Sequence, residues 1–366
     1  MEDGMGKRGL AWFILSLSSV LILAACTQRL TYPDQPAASE PDLSSGSSLS
    51  TISRDEFLYA VGWLDDKTIL VALESNGEYG LYSHDLLTGE EQLIRAFSDR
   101  LVFAALSANG QRMLVQVATQ QGNNIMMIDK SGKSLAEFHF SEGLVSGVSW
   151  NPTNEGKLFV SVHKTAGSLV NYLWDLSSNE AWIEMSMTEE MPVWYSENMY
   201  LQQKIAADGA SVLVLSDIRF PGKDTVIEQG ILAYGLEGES VWVVTPSDFN
   251  EEELLVISYY PLLITQGYIS LPRIPDGNGL FIPEFTKGND SDATFAVIPK
   301  REPESIAGIS FELAKVDFSG NASEVLTEVE RMDPISASPD GSYVLYGKRY
   351  EYLYDVEREG WIQLTE

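Results

Sequence analysis

The chain has one cysteine in 366 residues, three histidines, and 24 basic side chains against 53 acidic ones. A single cysteine excludes an internal disulfide framework and any cysteine-rich metal site. The histidines, His84, His139 and His163, are too widely spaced for a zinc motif. A formal charge of −29 repels phosphate backbones, so nucleic acid is excluded as a partner. The chain also lacks a G-x-S-x-G elbow and a glycine-rich phosphate loop, two widespread hydrolase and nucleotide-binding signatures.

Long apolar runs are scarce too. One run, "LAWFILSLSSVLILAA", spans the 16 residues from Leu10 to Ala25. A spanning helix needs about 20, so this length suits the core of a signal peptide. Lys7 and Arg8 precede it, and it ends in Leu23-Ala24-Ala25-Cys26. That ending resembles the bacterial lipobox, which implies cleavage after residue 25 and lipidation of the Cys26 sulfur. Residues 1–25 carry Glu2, Asp3, Lys7 and Arg8, two charges of each sign, so their removal leaves −29 unchanged. Two or more acyl chains, palmitate among them, would hold firmly at about 0.8 kcal/mol per buried methylene. Residues 26–54 are rich in Ser, Pro, Ala and acids without apolar periodicity, and are expected to form a disordered tether.

The remainder, residues 55–366, repeats. "ISASPDGSYVLYG" (335–347) has counterparts starting at Ala60, Ala104, Gly147, Gln203 and Ser270. Each is an apolar strand, a turn of Asp, Asn, Gly or Pro, and a second strand of Leu, Val and Ile. A third strand follows each copy, ending in Asp85, Asp129, Asp175, Asp317 or Asp355, with Gly235 in the fourth. These Asp residues read as caps of the following turn, and a ring of metal-binding carboxylates is the alternative. Four strands per repeat with a period near 40–45 indicate a β-propeller. The expectation is an all-β, six-bladed propeller, with seven blades the alternative because residues 188–331 nearly accommodate three units. The hairpins resemble those of TolB-like and WD40-like propellers. With the lipobox, the chain is most similar to YqgU-like lipoprotein propellers, a family described as six-bladed.

Chemistry-bearing candidates are few. His84 beside Asp85 reads as a solvent-edge residue rather than a base. "KGNDSDAT" (287–294) offers Asp290 and Asp292 as hard oxygen ligands for calcium, against a plain acidic loop. Trp63 and Trp150 hold the same repeat position, as core or as a stacking platform. No cofactor or metal is expected. Three long stretches, starting near Asp217, Pro246 and Thr286, read as additions to one face. They carry Tyr259, Tyr260, Lys300 and Arg301, the expected binding face.

The resulting expectation is a membrane-anchored, extracytoplasmic scaffold that catalyses nothing. Its partners would be the membrane, through Cys26, and an envelope protein or wall polymer. The alternative is a propeller enzyme or carbohydrate-binding protein using the channel mouth, favoured if carboxylates converge there. Ring closure is expected without strand exchange, with residues 49–55 adding at an edge.

Overall fold

The computed structural model describes residues 49–365, except 141–142, 165–166, 178–181, 186–190, 261–262, 277–278 and 302–308. Cys26, the leader and nearly all of the tether lie outside the described residues.

The described chain is all strand and turn, arranged as seven four-stranded antiparallel sheets. Within each sheet the strands pair in simple chain order, first to fourth. The first strands are Phe57–Trp63, Arg100–Leu106, Leu144–Trp150, Val193–Trp194, Ala233–Glu237, Phe285–Lys287 and Ile335–Ala337. Those of blades one, two, three and four touch in succession, as do those of five, six and seven, and blade one meets blade seven. The first strands therefore surround a central channel, and each blade grows outward from it.

Burial explains why the second strands are such continuous apolar runs. In Thr68–Ser75, Ile69 to Leu73 are all buried. Leu70 and Ala72 pack on blade two, while Ile69, Val71 and Leu73 pack on blade seven. Side chains alternate across a strand, so a strand covered on both faces has no polar face to show. The described core falls into seven clusters, each joining two successive blades and the last joining blade seven to blade one. Seven interfaces close a ring of seven.

The count is therefore the alternative of seven, and the expectation of six is corrected. The copy at Gln203 and the "LAYGLEGESVWVV" stretch belong to two blades, not one. Ser211–Asp217 is the third strand of blade four, and Gly235 lies on the innermost strand of blade five. The copy at Ser270 is not a hairpin within a blade. It links the outermost strand of blade five, Thr265–Pro272, to the innermost strand of blade six.

With the strands reassigned, the capping rule extends to six of seven blades. Asp217 joins Asp85, Asp129, Asp175, Asp317 and Asp355 at third-strand ends. Each accepts backbone N–H bonds from its turn, such as Thr88 N at 2.7 Å, Arg219 N at 2.9 Å and Arg358 N at 3.0 Å. Tyr259 takes the place of Asp in blade five.

The two ends of the described chain meet, and each described sheet is built from four consecutive strands. The Ile52 N–H donates to Leu364 O at 2.7 Å, Ile52 pairs in parallel with Thr365, and the Ser50 N–H donates to Leu86 O at 2.9 Å. Residues 50–52 thus tie blade seven to blade one, so the ring begins a few residues before the expected boundary at 55.

Candidate binding site at the channel mouth

Antiparallel order gives the propeller two distinct faces. Turns after first and third strands lie on one, here the near face. Turns after second strands and the links between blades lie on the other, the far face. Tyr259 ends a third strand and Lys300–Arg301 ends a second strand. The expected binding face is therefore divided between opposite ends of the ring. The sequence reading failed because it treated strands as insertions: Glu253–Tyr259 and Thr294–Arg301 are both regular strands. The stretch at Asp217 is the turn between third and fourth strands of blade four.

Environments settle the matter further. Tyr259 is 8% exposed, and its hydroxyl donates to Glu228 Oε2 at 2.6 Å, within the core between blades four and five. Lys300 Nζ is already held at 2.7 Å from Glu312 Oε1 and 3.8 Å from Glu328 Oε1. The Arg301 side chain lies outside the described ones. Tyr260 is exposed on the near face, with its hydroxyl bonded to Glu239 and Asp292 nearby, so its own ionisation is pushed up. Of the four, only Tyr260 stands near the concave site described next.

Two cavities of about 500 Å³ each open on the near face. The axial one lies over the channel, with walls from blades two to six that include Trp150, Trp194, Tyr234 and Asn289. The radial one runs outward between blades five and six over Phe285 and Phe318. Glu237 and Trp242 line both, so the cavities meet there.

Trp150, Trp194 and Trp242 share a further property. Their indole nitrogens are buried and without a hydrogen-bond partner. Trp63, at the same repeat position as Trp150, donates instead to Ser336 O at 3.0 Å and stacks on Tyr343 in the core. The equivalence seen in the sequence thus splits into one core tryptophan and one cavity tryptophan. Trp242 owes its position to Gly235, which stands directly opposite it in the sheet. A Cβ on Gly235 would fall 2.3 Å from the indole, so only glycine lets the ring lie over the strand.

Two carboxyls beside the innermost strands of blades five and six are shifted upward. Glu237 ends the first strand of blade five, and Glu284 precedes that of blade six. Burial is the main cause that pushes Glu237 up to about 8; the Lys287 N–H opposes the shift and the Glu284 charge adds to it. Glu284 is also raised, by burial. Both retain solvent-facing surface although protein atoms surround them.

The "KGNDSDAT" loop bounds the axial cavity. Asn289 Nδ2 donates to Ala108 O of blade two at 2.6 Å, reaching across the ring from blade six. The Asp290 N–H donates to Pro339 O at 2.9 Å, in the SPDG turn. Asp292 lies 3.9 Å from Lys287 Nζ. Among the described residues, no three acidic, histidine or cysteine side chains gather as a metal set. His84, expected at a solvent edge, is 1% exposed and 3.2 Å from Glu91 Oε1.

The family described as "YqgU-like 6-bladed beta propeller domain" matches residues 85–347. The chain belongs to this YqgU-like family. The family's description has six blades where this member has seven. The match starts at the end of blade one's third strand and stops after blade seven's second, so neither closing blade lies wholly inside it. One curated relative is "Uncharacterized lipoprotein YqgU" of Bacillus subtilis (strain 168), 20% identical over 93% of both chains. Among solved structures, uncharacterized protein lmo1340 of Listeria monocytogenes EGD-e has a TM-score of 0.74 at 18% identity. That superposition covers 86% of this chain and 96% of the other, and it supports the fold. TolB from Acinetobacter baumannii gives a TM-score of 0.42 at 14% identity, covering 82% of this chain and 64% of its own. Among the described residues no helix is long and apolar enough to cross a membrane.

Proposed function

We propose that this YqgU-like propeller is a lipid-anchored, extracytoplasmic binding protein whose ligand site is the near-face channel mouth. The observation that carries the site is the pair of near-face cavities that meet at Glu237 and Trp242 over the channel. The anchor is supported by the lipobox-like ending at Cys26 and by the B. subtilis relative, itself called a lipoprotein. A polar tether of residues 26–49 would let the ring stand clear of the bilayer. The third-strand Asp carboxylates are engaged as turn caps, which argues against a catalytic or metal-binding ring built from them.

Two experiments test this reading. Cys26→Ala should move the protein from a salt-washed membrane fraction to the soluble fraction, and retention there would remove the lipoprotein assignment. A pull-down from detergent-solubilised envelopes should lose its specific capture with Trp150→Leu/Trp242→Leu, which removes the aromatic wall of the cavities. It should keep that capture with Lys300→Glu on the far face, and the reverse pattern would move the site.

One observation favours a second reading, acid chemistry in the channel: Glu237 lines both cavities and is pushed up to about 8, chiefly by burial. Under it Glu237, neutral near pH 7, is a proton donor. Glu237→Gln would then abolish turnover of a bound polymer while leaving its capture intact.

A further inference from the structure

We infer that the ring docks reversibly on the bilayer that holds its anchor, through the near-face turns after the third strands of blades four and five. The inference rests on the lipid-anchor part of the reading above and not on the channel-mouth site. The Ser50 N–H donates to Leu86 O in the third-strand turn of blade one, so the path back towards Cys26 starts on the near face. Between them lie residues 27–49, and a polar, non-periodic chain of that length would span about 25–30 Å root-mean-square. The tether that lets the ring stand clear therefore also lets it return. At the millimolar effective concentration such a link imposes, a contact with a dissociation constant of about 1 mM holds the ring down about half the time. The channel mouth stays open to ligand whenever the ring lifts off.

Third-strand turns such as "DKSGK" in blade two and "DVEREG" in blade seven are polar, whereas blade four has "DIRFPGKD" and blade five "YYPLLIT". From these two, Phe220, Tyr260 and Ile264 stand 42–61% exposed. The Tyr260 N–H donates to Ile264 O at 2.7 Å and closes its turn. The turns are neighbours, because the fourth strand of blade four, Asp224–Gln229, follows the Phe220 turn directly and packs on blade five. Ile227 and Leu263 share one cluster there, and Glu228 accepts from the Tyr259 hydroxyl. Half-exposed Leu87, in blade one's turn beside the tether, adds an apolar tip on the same face. Aromatic and aliphatic tips of this kind enter the headgroup region of a bilayer, where a Tyr hydroxyl stays wet.

Charge decides what drives the contact. A chain of −29 is repelled by anionic headgroups, so apolar insertion has to supply the attraction and the patch has only to avoid a local surplus of acid. Arg219 and Lys223 both lie over the Phe220 ring, 5.6 Å and 5.3 Å from its centroid. Asp217 is doubly bonded to Arg219 at 2.6 Å and 2.9 Å, and Asp224 is paired with Lys204 at 2.5 Å. Glu239 takes the Tyr260 hydroxyl, and the Glu197 charge also faces Arg219. Carboxylates farther off than a Debye length, about 8–10 Å, are largely screened.

Cys26 is the only cysteine and is acylated under this reading, so one introduced cysteine can be labelled selectively. The test uses full-length lipoprotein with Ile264→Cys, or with Ile205→Cys at the far-face end of blade four's second strand as control. Each is labelled with an environment-sensitive dye and reconstituted into phosphatidylcholine vesicles containing spin-labelled lipid. The dye at 264 should be quenched about threefold or more relative to the dye at 205, and should stay so in about 500 mM salt. Phe220 is half-exposed on a turn, so Phe220→Asp should fold, and it should bring quenching at 264 down to the level at 205. Equal quenching at the two positions, or quenching indifferent to Phe220→Asp, would overturn docking by this patch. Protein that floats with the vesicles without quenching removes docking alone, whereas protein that does not float removes the anchor reading and this inference with it. A dye at 264 shielded only when solubilised envelope protein is added would make the patch a protein interface, and the lipid assignment would fall.

Discussion

Glu237 shows how the channel alters a single side chain. Its unfolded counterpart releases a proton near 4.5, whereas the folded group holds one until about 8. Between these values the folded state binds more protons, so this carboxyl makes stability fall as pH rises, and the decline is complete above about 8. Glu237→Gln should remove that slope and make the protein more stable than the parent at pH 9. The gain should be on the order of 2 kcal/mol, because channel water screens part of the shift. Urea melts from pH 5 to 9 measure it, and parallel curves for parent and variant would show that the group titrates normally. Nothing in the sequence marked Glu237 or Trp194, since neither sits in a motif and both acquire their surroundings from other blades. Tyr259 was visible as an aromatic in a long stretch, but its bond to Glu228 depends on the packing of blade five against blade four.

At the scale of strands and turns the sequence was informative wherever a unit was complete. The hairpins at Ala60, Ala104 and Gly147 fall within blades one to three, because each pairs a regular turn with a third strand ending in Asp. Reading became unreliable from blade four onward for two physical reasons. The first strand of blade four is only Val193–Trp194, too short to show alternation. Blade five has Tyr259 instead of the capping Asp, so the marker used for counting is missing where it was needed. Gly235, where the repeat leads one to expect an Asp, seats Trp242 instead. Gly235→Ala should therefore displace the indole, with a cost of about 1–3 kcal/mol for overpacking. The matching observable is a shift in tryptophan emission together with a lower midpoint of unfolding. Unchanged emission would mean that the ring does not rest on this glycine.

The ring as a whole has to close, and here it closes without a strand borrowed from the other terminus. The last strand of blade seven, Gly360–Gln363, is supplied by the C-terminus itself. It serves two interfaces at once. Trp361 packs toward blade six, with Tyr354 5.0 Å and Tyr346 5.3 Å away, while Ile362 and Leu364 join the cluster shared with blade one. Ending the chain before Trp361 would remove all three, each worth about 1.5–3 kcal/mol of burial, and would expose the edge of the preceding strand. The sum is comparable to the entire stability of a typical domain, about 5–15 kcal/mol. Loss of the Leu364 carbonyl also releases Ile52, so the clasp from blade one goes with it. The truncated protein should therefore be unfolded as a whole at 25 °C rather than missing one blade. Circular dichroism and limited proteolysis should report no protected fragment spanning blades two to five. A stable, protease-resistant core would instead show that six interfaces suffice and that closure at the seventh is dispensable. Ile52→Asp gives the graded version: it leaves every strand in place and puts a charge where Ile52 is 1% exposed. It should lower the unfolding midpoint while keeping a single transition, because a closed ring transmits the loss at one interface to the others.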